Sequence, residues 1–158
     1  MLKAVYQQRG PVPQDVIEAG EFQLPAPAAG EVLLKVLAAP INPSDVLTLT
    51  GEYGMLPPLP ATGGSEGVGR VEELGEGVSN LKAGQTVLLP PGNGTWVSHM
   101  LAKASKLVAL PDADPQQLSM LTVNPPTALL LLKNFVDLQP GDWVIQNAAN
   151  SGVGSYLI

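Results

Sequence analysis

Glu31-Val32-Leu33-Leu34-Lys35-Val36-Leu37-Ala38 is the stretch on which the fold turns. Val32, Leu34 and Val36 fall on one face of an extended chain and Lys35 on the other, the two-residue period of a strand. Outward from it, short apolar runs recur between Met1 and about Leu110. Leu2–Gln7, Val16–Glu21, Gly67–Glu73, Thr86–Leu89, Trp96–Leu101 and Leu107–Leu110 are read as strands. Gly10-Pro11, Gly75-Glu76-Gly77 and Pro90-Pro91-Gly92 supply the turns between them. Short antiparallel strands bury themselves by curling or stacking, which predicts a barrel-like or sandwich-like β module.

One stretch departs from this pattern. In Asn42-Pro43-Ser44-Asp45-Val46-Leu47, Asn42 suits a helix N-cap, Pro43 the first helical position, and Asp45 the positive end of the helix dipole. The helix should end before Gly51. A loop follows, Gly51-Glu52-Tyr53-Gly54-Met55-Leu56-Pro57-Pro58-Leu59-Pro60, in which three prolines prevent regular pairing. Long, stiffened loops inside compact domains commonly carry function.

A second regime begins near Asp112. Asp114-Pro115 opens a helix through Leu121, and Asn124-Pro125-Pro126 caps another that runs to about Phe135. Gln139-Pro140-Gly141-Asp142 is a turn, Trp143–Gln146 an apolar strand, Ala149–Gly154 a glycine-bearing loop, and Ser155–Ile158 a new helix. Strand, glycine loop and helix are the first half of a βαβ unit.

Composition excludes several functions. Of 158 residues, 45% are hydrophobic and only 14% charged, which is unlike a disordered, highly charged tail. A net charge of −6 is a poor starting point for gripping nucleic acid or an anionic membrane, so neither partner is expected. With no cysteine there are no disulfides, thiolate zinc sites or cysteine nucleophiles, and His99 alone makes no multi-histidine site. No apolar run approaches the ~20 residues of a membrane span. Met1–Tyr6 enters strand-like sequence with neither a signal-peptide core nor an Arg/Ser-rich transit segment, and the expected address is cytoplasmic.

The residues that could carry chemistry each have a plain structural alternative. A tyrosine such as Tyr53 donates a proton at neutral pH, useful toward an enolate, or simply packs at the surface. Asn124 could be an N-cap, or could offer its amide to a cofactor carboxamide. The loop Ala149–Gly154 could present backbone N–H groups to a pyrophosphate at a helix N-terminus, or be an ordinary tight turn. Only Gly154 matches the G-x-G-x-x-G spacing. Glu66, among glycines in Gly63-Gly64-Ser65-Glu66-Gly67-Val68-Gly69, suits a structural role or one supporting the reacting groups from behind rather than catalysis, and Trp96 a core or barrel-edge one. His99 has no assigned role.

Taken together, these segments resemble the medium-chain dehydrogenase/reductase superfamily, and within it the zinc-independent, mitochondrial-type trans-2-enoyl-CoA (2-enoyl thioester) reductases. The similar stretches are residues 38–45, 51–54, 59–69, 94–96, 123–128 and 141–154, in one order through nearly the whole chain. The resemblance implies a mixed α/β protein: a GroES-like, partly open β-barrel domain over residues 1–112, then linking helices and the beginning of a Rossmann domain over 113–158. It implies NADPH as cofactor and an enoyl-CoA or acyl-carrier thioester as substrate. Tyr53 matches the family's proton donor, and Asn124, Asn150, Ser151, Gly152 and Val153 match its NADPH contacts. Zinc-dependent relatives carry a histidine where Ser65 stands. Two departures stand out: Leu129-Leu130-Leu131-Leu132 replaces a bulky polar or aromatic sequence, and family members are roughly twice this length, about one further domain. A homodimer is expected of the full-length protein. The competing readings are a quinone-oxidoreductase-like enzyme and, from another class, a non-catalytic GroES-like binding module.

Overall fold

The alternating stretch at residues 31–38 is a central strand with neighbours on both sides. In the computed structural model, which describes residues 1–92 and 94–158, the β region contains β1 (Leu2–Tyr6), β2 (Ile17–Glu21), β3 (Glu31–Ala38), helix α1 (Pro43–Thr50), β4 (Ala61–Thr62), β5 (Val68–Leu74), β6 (Thr86–Leu88), β7 (His99–Lys103) and β8 (Val108–Ala109). Among the described residues they form two sheets, ordered β2-β1-β4 and β7-β3-β5-β6-β8. Every registered pair is antiparallel.

The larger sheet buries Val32 and Leu34 of β3 with Val71, Val87, Leu89 and Met100. Complete burial of an aliphatic side chain contributes roughly 1.5–3 kcal/mol, so this face is the main source of stability. Lys35, on the opposite face, stays exposed, as the two-residue period requires. Leu33 pairs with Glu73 while Leu34 pairs with Val71, so Glu72 is an extra residue on β5. Its carboxylate lies 3.3 Å from Nε2 of His99.

A second, smaller core holds Tyr6, Leu49 of α1 and Ala61, with Trp96 packed beside them. Gly64 has φ +90, and a Cβ there would lie 2.5 Å from both Thr95 Oγ1 and a Trp96 ring carbon. Only glycine meets both demands. The strand expected at Trp96–Leu101 begins as a ladder only at His99. Ahead of it, Trp96 O accepts from Ala4 N–H and Ser98 N–H donates to Leu2 O, so residues 96–98 belong to the edge of the first sheet before the chain crosses to the second.

Beyond β8 the chain is helical: α2 (Pro115–Leu118), α3 (Asn124–Lys133) and α4 (Gly152–Leu157). Three expectations are corrected here. The helix opened by Asp114, whose Oδ1 accepts from Gln116 N–H, stops at Leu118 and continues as turns. Asn124 is not an N-cap. Val123 holds that position, and Asn124 is the first helical residue, its side chain turned inward. The expected strand Trp143–Gln146 pairs with no described segment. A strand exists through its neighbour's hydrogen bonds, and without one Trp143 and Ile145 stand 95% and 98% exposed.

Candidate functional site

Helix α1 delivers Tyr53. Asn42 N–H donates to Asp45 Oδ2 at 2.7 Å, closing the helix start, and Pro43 occupies the first turn where a missing N–H costs nothing. At the far end Gly51 is left-handed. The N–H groups of Gly51, Glu52 and Tyr53 all point at Leu47 O, at 3.0, 2.9 and 3.2 Å. The chain thus leaves the helix in a fixed direction, with the Tyr53 side chain 41% exposed. The loop beyond is held by the Arg9 guanidinium, which donates to Pro57 O.

The second group of candidates lies on α3 and α4. Asn124 is buried at 8% exposure, and no described hydrogen bond engages its side-chain amide. That amide faces the start of α4: a Cβ at Gly152 would lie 2.8 Å from Asn124 Nδ2. Ser151 precedes the helix and its Oγ accepts from Gly154 N–H at 3.0 Å. Gly154 is packed so closely that a Cβ would meet Ala148 O at 2.4 Å. Asn150 is exposed in the turn, and Val153 is half-buried. Asn124 and Gly152 are therefore brought together. Among the described residues no hydrogen bond joins Tyr53 to either.

Glu66 connects the two groups, where sequence reasoning offers a structural or supporting role without naming its partners. It is completely buried. One carboxyl oxygen accepts from Asn42 Nδ2 at 2.9 Å and the other from Val123 N–H at 3.1 Å, while its backbone carbonyl accepts from Thr95 Oγ1 at 2.7 Å. The only sequence signal is a carboxylate set among glycines, where backbones come close enough to supply donors.

A cavity of about 320 Å³ lies beside α1, lined by Tyr6, Asp45, Thr48, Met55, Leu56 and Ser65 among others, with Tyr53 outside its lining. Ser65 Oγ is buried without a hydrogen-bond partner. Burial pushes the Tyr6 phenol pKa above its ordinary 10.0, opposed by Arg9 and reinforced by Asp45. His99, besides Glu72, approaches Ser98 Oγ through Nδ1 at 3.1 Å. Among the described residues no cluster of three or more metal-ligating side chains occurs.

A curled antiparallel β module with a helix and loop inserted before its glycine-rich strand is the architecture of one family, and residues 28–112 match the alcohol dehydrogenase GroES-like domain. The chain belongs to that family. More particularly, it is similar to the N-terminal part of the 2-enoyl thioester reductases of the medium-chain dehydrogenase/reductase superfamily. It is 47% identical to the mitochondrial enoyl-[acyl-carrier-protein] reductase of Rattus norvegicus over 156 residues, 98% of this chain and 42% of the rat protein. Etr1p, the mitochondrial 2-enoyl thioester reductase of Candida tropicalis, was solved with NADP and crotonyl-CoA. It superposes with a TM-score of 0.88 at 32% identity, over 99% of this chain and 50% of Etr1p. A Bacillus thuringiensis protein assigned as an NADPH:quinone reductase gives 0.84 at 34%, over 99% of this chain and 47% of that one. The chain thus spans about half the length of the relatives it matches. The cytoplasmic address expected from the N-terminal sequence is overturned, because the Rattus norvegicus and Candida tropicalis relatives are mitochondrial. Strand-like residues at an N-terminus carry no information about compartment when the comparison covers no more than half of each relative.

Proposed function

We propose that this chain supplies the proton donor and part of the NADPH cradle of a 2-enoyl thioester reductase. The observation that carries the reading is the meeting of Asn124 with Gly152: the side-chain amide of a largely buried residue set against the glycine that opens α4. Such an amide suits a carboxamide, and the Ser151–Gly154 turn suits a pyrophosphate approaching backbone N–H groups. Asn124, Asn150, Ser151, Gly152 and Val153 would hold the cofactor, whose chemistry when bound is to give a hydride to the substrate's β-carbon. The Tyr53 phenol then donates the proton that completes the reduction at the α-carbon of the enolate. Its exposure in a loop anchored at both ends suits a group that must meet substrate.

The same proposal divides the chain at residue 112. Leu110 N–H still donates to Thr86 O of the β region, and helices α2 to α4 follow as the beginning of a Rossmann domain. It also makes the site independent of zinc, since Ser65 stands at the ligand position and there is no cysteine. A homodimer of the full-length protein is part of it; the Candida tropicalis relative, an Etr1p/Etr2p heterodimer, supports pairing of two chains but not their identity.

The likeness to the Bacillus thuringiensis protein supports a second reading, reduction of quinones or other activated alkenes. NADPH consumption by the full-length protein, with crotonyl-CoA and with a quinone in parallel, separates the two. Faster turnover of crotonyl-CoA is expected. Turnover of the quinone alone would overturn the first reading.

A further inference from the structure

Glu66 has no cationic partner among the described residues, yet none of it reaches solvent. A buried carboxyl group is costly unless both oxygens are engaged, and here both are, by donors at the starts of two different helices. Asn42 precedes α1 and Val123 precedes α3. The residues that open both helices therefore meet at one group. From Asn42 the chain runs through α1 to the triple hydrogen bond at Leu47 O and so to Tyr53. From Val123 it passes directly to Asn124, with Thr127 Oγ1 donating to Val123 O at 2.6 Å to fix that peptide.

We infer that Glu66 is a positioning residue that holds the Tyr53 helix and the Asn124 helix in register, so that proton donor and cofactor amide meet one substrate in a fixed relation. This rests on the reading of Tyr53 and Asn124 given above. Glu66 acts through Asn42 and Val123 and touches no reacting atom.

Its chemistry permits a test by exchanging donor and acceptor. Aspartate is as good an N-cap as asparagine, so α1 keeps its cap in Asn42→Asp, and the new carboxylate's proximity to Asp45 is common to the single and the double variant. It does set one carboxylate against another at Glu66. Glu66→Gln alone keeps both bonds, because the Asn42 amide can turn its oxygen toward the nitrogen of the new amide. In the double variant Asn42→Asp/Glu66→Gln, the amide now at position 66 donates to the carboxylate now at position 42 and still accepts from Val123 N–H.

In the full-length protein, Asn42→Asp should lower kcat with crotonyl-CoA about tenfold or more, the effect of one broken buried contact. NADPH affinity should hold within about threefold, because the Val123 bond survives. Glu66→Gln and the double variant should stay near the parent. Amide hydrogen exchange supplies a readout that needs no activity: faster exchange at residues 51–56 in Asn42→Asp, with 120–124 unchanged because the Val123 bond survives, and reversal in the double variant. Asn42→Ala, which removes the donor without repulsion, replaces Asn42→Asp if the latter does not fold, and should show the same split. Failure of the double variant to restore both kcat and exchange would overturn the inference, as would a loss of thermal stability with kcat unchanged. If the parent reduces only a quinone, the functional reading fails on its own, while the exchange measurement still decides the role of Glu66.

Discussion

Removing the hydroxyl of Tyr53 is the most direct test of the proposed chemistry. Tyr53→Phe deletes one oxygen from a side chain that is 41% exposed and belongs to neither hydrophobic core. The backbone bond from Tyr53 N–H to Leu47 O is untouched. Surface changes away from caps and cores stay within about 0.5 kcal/mol, so the melting temperature should move by no more than a few degrees. A positioned general acid contributes ~10²–10⁴-fold, or about 3–5 kcal/mol of barrier. That loss should fall on kcat for crotonyl-CoA in the full-length protein. NADPH affinity should be nearly unchanged, since the candidate cofactor residues lie on α3, α4 and the turn before α4. Steady-state kinetics beside a thermal melt gives both numbers. A packing tyrosine would show the reverse, with reduced stability and near-normal turnover of what remains folded. Turnover within about threefold of the parent, well short of the general-acid range, refutes the donor role and favours the quinone-reductase-like reading.

Gly154→Ala places a Cβ 2.4 Å from Ala148 O, so the turn must open. We expect a cost on the order of 1–3 kcal/mol in thermal denaturation and weaker NADPH binding in a fluorescence titration of the full-length protein. Burial raises the Tyr6 pKa, so its contribution is fully present below the unfolded value near 10.0 and is lost as pH rises through the higher folded one. Urea melts of the parent should weaken at alkaline pH, and Tyr6→Phe should flatten that dependence. Metal analysis of chelator-washed protein should find no stoichiometric zinc, and one zinc per chain would remove the zinc-independent reading.

Much of the β region is legible because its signals are local. The alternation at 31–38 marks β3 to the residue, and the Asn42-Pro43 start and Gly51 stop bound α1 with nothing more than N-cap and left-handed glycine chemistry. The misreadings fall where a segment's state depends on a distant partner. Val144 and Ile145 have strand composition, but composition cannot supply the neighbour that makes a strand, and here they lie unpaired. Ala61–Thr62 is the converse: two residues after three prolines carry no strand signal of their own, yet Tyr6 and Val5 across from them make a ladder.

The same distinction explains the candidate site. Tyr53, Asn124 and the 150–153 turn can be singled out as candidates because each sits in a motif of its own. Their relation is not legible, because it is carried by Glu66, whose partners lie far along the chain on either side. Local grammar reads one partner correctly and misdirects the reading of the other. Asn42 is the N-cap of α1 and its amide nitrogen also donates to Glu66, while the carboxylate of Asp45 closes the helix start. Asn124 resembles a cap because two prolines follow it, yet Val123 takes that place while giving its N–H to the same carboxyl group. That exchange frees the Asn124 amide to face Gly152. A helix start is thus completed by a partner far along the chain, and a buried carboxyl group with two oxygens to satisfy supplies that partner for Asn42 and for Val123.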